Sequence, residues 1–186
     1  MQTHRSLPVL CAVAALWTGC SGLPSVSPSL LQPAASVARD GAFHYRVPIG
    51  WVDATADSQA VGHAVWLLRN DYGATIAVSE IHLDADARNT LRAEGIMHLA
   101  RLTMVLAAGA ASYTVNQQPE PMQLNGRDAC VFALTTLPAH DRLRAIVVDS
   151  GGKVYMITAL VPPETERGVQ NGVFAVQDAF ASGIRW

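Results

Sequence analysis

His82-Leu83-Asp84-Ala85-Asp86 is the most ligand-like run in the chain. In an extended strand His82, Asp84 and Asp86 would share one face, and an imidazole beside carboxylates suits zinc or manganese. The same run stands just ahead of a long helical pattern. There Asp84 or Asp86 acts as an N-cap, its carboxylate accepting backbone N–H groups at the positive end of the helix dipole. The cap is the preferred reading and the metal site its alternative. His140-Asp141 could orient a general base, but a base needs a nucleophile and no Gly-x-Ser-x-Gly elbow is present. Ser150 sits in a Gly-rich turn, an ordinary place for serine. Cys130 alternates with Phe132 and Leu134, so it is expected to point inward as a small hydrophobe. Arg88 and Arg92, one helical turn apart, either receive an anion or line a solvated face. His98 falls on an apolar helical stripe, as a core or edge histidine. Trp51 and Tyr72 stand beside turns, where they line a binding edge or lid the core. No catalytic set emerges, no cofactor is expected, and the chain reads as a non-enzyme.

Composition narrows the setting. The 186 residues carry a net charge of −2, and all but one of the 13 basic residues are arginine, the exception being Lys153. There is no basic stripe of the kind a nucleic-acid binder carries. His4 and Arg5 give a positive start, and Leu7 to Trp17 form an apolar stretch interrupted only by Pro8. Its length suits the core of a signal peptide and is too short for a spanning helix. Leu16-Trp17-Thr18-Gly19-Cys20 then resembles the lipobox of bacterial lipoproteins, although Trp17 stands where the lipobox prefers leucine. The resemblance implies diacylglyceryl transfer to the Cys20 sulfur, cleavage after Gly19, and acylation of the new amino group with a chain such as palmitate. Ser21 lacks the aspartate that marks inner-membrane retention, so the resemblance favours the outer membrane, facing the periplasm. Residues 21–38 hold serines and prolines and no charge until Arg39, the composition of a disordered tether. The expected division is a signal peptide over 1–19, a lipidated cysteine and tether over 20–38, and a folded domain over 39–186. Cys130 is the one cysteine in that domain, which excludes an internal disulfide.

The elements that must position these groups follow from periodicity and turn chemistry. Phe43, Tyr45 and Val47 alternate with His44 and Arg46 as a first strand. Strands over 64–69 and 74–81 flank the turn Asn70-Asp71-Tyr72-Gly73. A long helix is expected from Asp86 to Ala108, with Leu91, Gly95, His98, Leu102 and Val105 following its period and Gly109 as its stop. A short strand over 112–115 follows. Asn125-Gly126 favours the positive dihedrals of a type I′ turn and predicts a hairpin. A second hairpin pairs 142–148 with 153–161. The residues from Val154 to Val161 are apolar at nearly every position, as in a central strand covered on both faces. A last helix carries Val169, Val173, Val176, Phe180 and Ile184 on one stripe. Phe180 is expected in the core, and Gln177 off the stripe and indifferent to substitution. The fold class is α+β: a mainly antiparallel sheet with a long central helix and a C-terminal helix packed on it.

Phe43-His44-Tyr45-Arg46-Val47-Pro48-Ile49-Gly50-Trp51 resembles the opening of PsbP-like and DcrB-like proteins, an aromatic strand followed by Pro-x-Gly-Trp. Leu124-Asn125-Gly126-Arg127, the strand from Gly152 to Leu160 and the closing amphipathic helix are similar to the same family. The resemblance covers nearly all of 40–186 and implies a PsbP-like sandwich; it implies fold and not task. The expected function is a non-catalytic, lipid-anchored envelope protein that binds or assists a protein partner, held to the membrane through Cys20 and without affinity for nucleic acid. The alternatives are a small-ligand or metal-binding lipoprotein and a lipid-anchored hydrolase.

Overall fold

The computed structural model describes residues 30–107 and 112–186. The expected leader, Cys20 and the first part of the tether lie outside the described residues, as do Ala108 and Gly109 at the expected helix end. Seven antiparallel strands form one sheet. In chain order they are Trp51–Asp53 (β3), Val65–Arg69 (β4), Thr75–Ile81 (β5), Ser112–Leu124 (β6), Arg127–Leu137 (β7), Arg142–Asp149 (β8) and Val154–Val161 (β9). Their spatial order is β3-β4-β5-β9-β8-β7-β6. Ser36–Val37 (β1) and His44–Tyr45 (β2) make a separate two-stranded piece. The helices are Ala85–Glu94 (α1), Ile96–Ala107 (α2) and Arg167–Gly183 (α3). Among the described residues no helix is long and apolar enough to cross a membrane.

The sheet is a middle layer because alternate residues of its inner strands serve two cores. On β8, Ile146 and Val148 join a core roofed by α3, β2 and the chain end, while Ala145 and Val147 join the core beneath α2. The α3 core gathers Phe43, Tyr45, Tyr155, Phe180 and Trp186, with the Phe43 ring 5.4 Å from Tyr155 and 4.8 Å from Trp186. The α2 core holds Leu99, Ala100, Met104, Cys130, Phe132 and Leu134. β9 is central, as expected, but β8 is the strand buried on both faces along its middle. Met156, Thr158 and Leu160 of β9 stay half-exposed, Met156 at the edge of the α2 core. The Asn125-Gly126 hairpin forms as its chemistry dictates, with φ of 53° and 75°. β6 is far longer than the short strand expected. It tolerates Pro119 and Pro121 because it is an edge strand, with register shifts between Val115 and Glu120.

Three further expectations give way. The single helix over 86–108 is two, broken at Gly95, whose φ of 76° no helix allows and whose N–H caps Leu91 O at 2.8 Å. The break resets the phase. α2 buries Leu99, Ala100, Thr103 and Met104, while Leu102 and Val105 of the expected stripe are 50% and 54% exposed. The tether does not run to residue 38. Gln32 N–H donates to Val47 O at 2.8 Å, Leu31 bridges Pro48, β1 pairs with β2, and Ala38 is buried. These short pairings have no periodicity to read. The third, Gln177, is fully buried. Its Nε2 donates to Ile157 O (2.8 Å) and Arg144 O (3.0 Å), and its Oε1 accepts from Arg144 Nη1 (2.9 Å).

Candidate functional site

The β5–α1 junction carries a polar cluster that the sequence does not single out. β5 and β9 pair Glu80 with Tyr155, so Lys153, just ahead of β9, reaches back to Glu80 Oε2 at 2.7 Å. Asp40 Oδ2 approaches the same ammonium at 3.3 Å and accepts the Tyr155 hydroxyl at 2.7 Å. Glu80 and then Asp40 raise Lys153 above the ordinary lysine value. Burial alone would raise Asp40, but the Tyr155 hydroxyl, the Ala42 amide and Lys153 outweigh it and leave the carboxyl below its usual range. These bonds clamp the segment around Asp40 onto the sheet. His82 hangs outside it, with its side chain 87% exposed and its Nδ1 3.4 Å from Glu80.

The remaining candidates are dispersed. Asp84 Oδ1 caps α1 by accepting from Ala87 N–H at 2.8 Å, and Asp86 lies in the first turn. His82, Asp84 and Asp86 are thus not brought together, and no group of three metal-ligating side chains forms among the described residues. Arg88 donates to Gly152 O at 3.0 Å and Arg92 to Asn89 Oδ1 at 3.2 Å, lining a cleft of about 390 Å³ that also contains Glu80, Asp128 and Asp149. Cys130 is buried against Met97, and burial pushes its thiol up to about 11. His98 is an edge histidine, 2.7 Å from Glu94. His140 occupies a positive-φ turn and Ser150 donates to Lys153 O at 2.8 Å. The two flank opposite ends of the eight-residue β8, roughly 26 Å apart at a strand's rise, too far to share a proton. Trp51 is buried in the α3 core, whereas Tyr72 is 80% exposed on its turn.

A second cleft, of about 450 Å³, contains Arg46, Arg127 and Arg185. Its walls come from three places. Asn125 Nδ2 ties the β6–β7 hairpin to the end of α3 by donating to Ile184 O at 2.9 Å, which sets Arg127 at the rim. Arg185 and His44 exchange both backbone hydrogen bonds at 2.9 Å. Antiparallel partners point to one side, and Arg46 follows His44 by two, so Arg46 and Arg185 share the outer face while Phe43, Tyr45 and Val47 point to the core. Trp186 is another wall, and its Nε1 is buried without a hydrogen-bond partner among the described residues. This cleft is not legible in the sequence. Alternation marks Arg46 as outward, but nothing local links it to residues far along the chain.

No protein-family model matches the sequence, and no curated protein matches it. Solved structures do. The cyanobacterial PsbP (CyanoP) of Synechocystis sp. PCC 6803 superposes with a TM-score of 0.55 at 15% identity, over 91% of this chain and 98% of that one. The Ran-binding protein Mog1p of Saccharomyces cerevisiae gives 0.52 at 13% identity, over 83% and 95%. At such identities the likeness shows the fold, which is PsbP-like.

Proposed function

We propose that the chain is a lipid-anchored, non-catalytic binding or accessory module of a bacterial envelope, allied to the DcrB-like lipoproteins. In this reading Cys20 carries the lipid and the domain faces the periplasm from the outer membrane. The observation that supports a binding role is the dispersal of the reactive groups. Cys130 is buried in a core, Asp84 caps α1, His140 holds a turn and His98 pairs with Glu94, while the arginine-lined cleft stays open. The anchor is supported by the residues from Leu16 to Cys20. Several acyl chains hold a protein where one gives only marginal attachment.

Expression of the full chain and its Cys20→Ser variant, followed by membrane fractionation and mass measurement, tests the anchor. The expected result is a lipid-modified mature protein starting at residue 20 in the membrane fraction, and an unmodified Ser variant. A mature wild-type chain recovered soluble and unmodified would overturn it. Capture of a stoichiometric protein from solubilised envelope by the lipidated form tests the accessory role.

A further inference from the structure

We infer that the cleft walled by Arg46, Arg127 and Arg185 binds the phosphate of an anionic phospholipid at the surface of the membrane that holds the Cys20 anchor. The inference rests on the anchored reading above. Three arginines line one cleft, and their like charges favour an anion among them. No Asp or Glu lines this cleft or the neighbouring one of about 230 Å³ that shares Arg46 and Arg185 and adds His44. Among the described residues none of the three arginines makes a salt bridge, although the whole chain is net acidic. The guanidinium fork matches phosphate oxygens two at a time. The backbone that carries these arginines is fixed before any ligand arrives: Arg185 by its double bridge to His44, Arg127 by the turn that Asn125 ties to α3. Little ordering remains for binding to impose.

The position of the cleft selects the source of the phosphate. Leu31 lines the same cleft, and only ten residues, 21–30, separate it from Cys20. The eleven steps from Cys20 to Leu31 reach at most about 40 Å when fully extended. An anchored domain thus keeps this cleft within that distance of the lipid surface, where headgroups stand at high effective concentration. A free phosphate gains nothing from such a tether.

Arginine modification by phenylglyoxal, mapped by mass spectrometry on the full lipidated chain, tests this. The chain is reconstituted in vesicles of phosphatidylcholine alone and of phosphatidylcholine with phosphatidylglycerol. Modification of Arg46, Arg127 and Arg185 should slow together by roughly fivefold or more in the anionic vesicles, as occupancy demands, while Arg101 on α2 keeps its rate. Equal rates in the two vesicles would overturn the proposal, and so would a slowing shared by Arg101. A detergent sample with inorganic phosphate separates the sources: full protection there, with no further gain from phosphatidylglycerol, would overturn the lipid assignment. Arg185→Gln should lose the protection at Arg46 and Arg127. The N-terminal peptide in the same digest reports the anchor. Lipid on Cys20 with unprotected arginines defeats this inference alone, and protected arginines in a chain without lipid defeat the anchored reading alone.

Discussion

Gln177 shows how a single residue is misplaced on a helix. Expected off the apolar stripe, it stands four residues after Val173 and three before Phe180, a spacing that puts it on the buried side of α3, where its amide finds partners. It satisfies two strand carbonyls and helps hold Arg144, which also meets Asp178 at 2.7 Å. Gln177→Ala is expected to cost about 2–4 kcal/mol, joining a cavity to polar groups left without partners. Phe180→Ala, in the same core, should cost about 3–5 kcal/mol. Urea unfolding should show both midpoints falling; an unchanged Gln177→Ala midpoint would contradict the burial. His63 gives a test in pH. Burial, and then Arg39, lower its pKa below the ordinary 6.5, and its Nδ1 lies 2.8 Å from Ser79 Oγ. Between the folded and unfolded values the unfolded chain binds more protons, so stability should fall as pH drops below about 6.5. Ring titration by NMR should place His63 under that value, and His63→Gln should remove this part of the acid sensitivity. A ring titrating at 6.5 or above would refute the assignment.

At the level of elements, what was legible depended on whether a segment had a period or a turn of its own. Alternation located the strands around Tyr45 and Phe132, and Asn125-Gly126 located a hairpin, because side-chain period and positive φ are local properties. The helix phase was lost across Gly95, since one residue outside helical φ rotates all that follows. The segment 30–38 escaped because its two-residue strand and isolated bridges are held by distant partners. That segment is part of the domain, so a chain starting at residue 39 should melt more than about 5 °C below one starting at residue 20. Coincident thermal melts would mean that Leu31, Val37 and Ala38 add nothing. Gly183 records the closeness of this packing: a Cβ there would sit 2.6 Å from Leu31 Cδ1.

For the molecule as a whole, composition and element order were enough for an antiparallel sheet between helical layers, but not for the insertion of β9 between β5 and β8. That pairing joins segments far apart in the chain, and no local pattern encodes it. The arginine cleft was hidden for the same reason, since its three arginines line one cleft only after the hairpin, β2 and the segment after α3 converge. Trp186 seals that convergence, its ring 4.8 Å from Phe43 and 5.0 Å from Tyr155. Removal of Arg185 and Trp186 should therefore cost about 2 kcal/mol or more in lost apolar burial, read as a lower urea midpoint; an unshifted midpoint would make the end of the chain ornamental. The same joint bears on the order of events in biosynthesis. β2 takes β1 on one edge and Arg185 on the other, so a strand made early waits for a residue made far later. Until Arg185 and Trp186 arrive, this pairing cannot lock and Phe43 and Tyr155 lack the indole that packs on them.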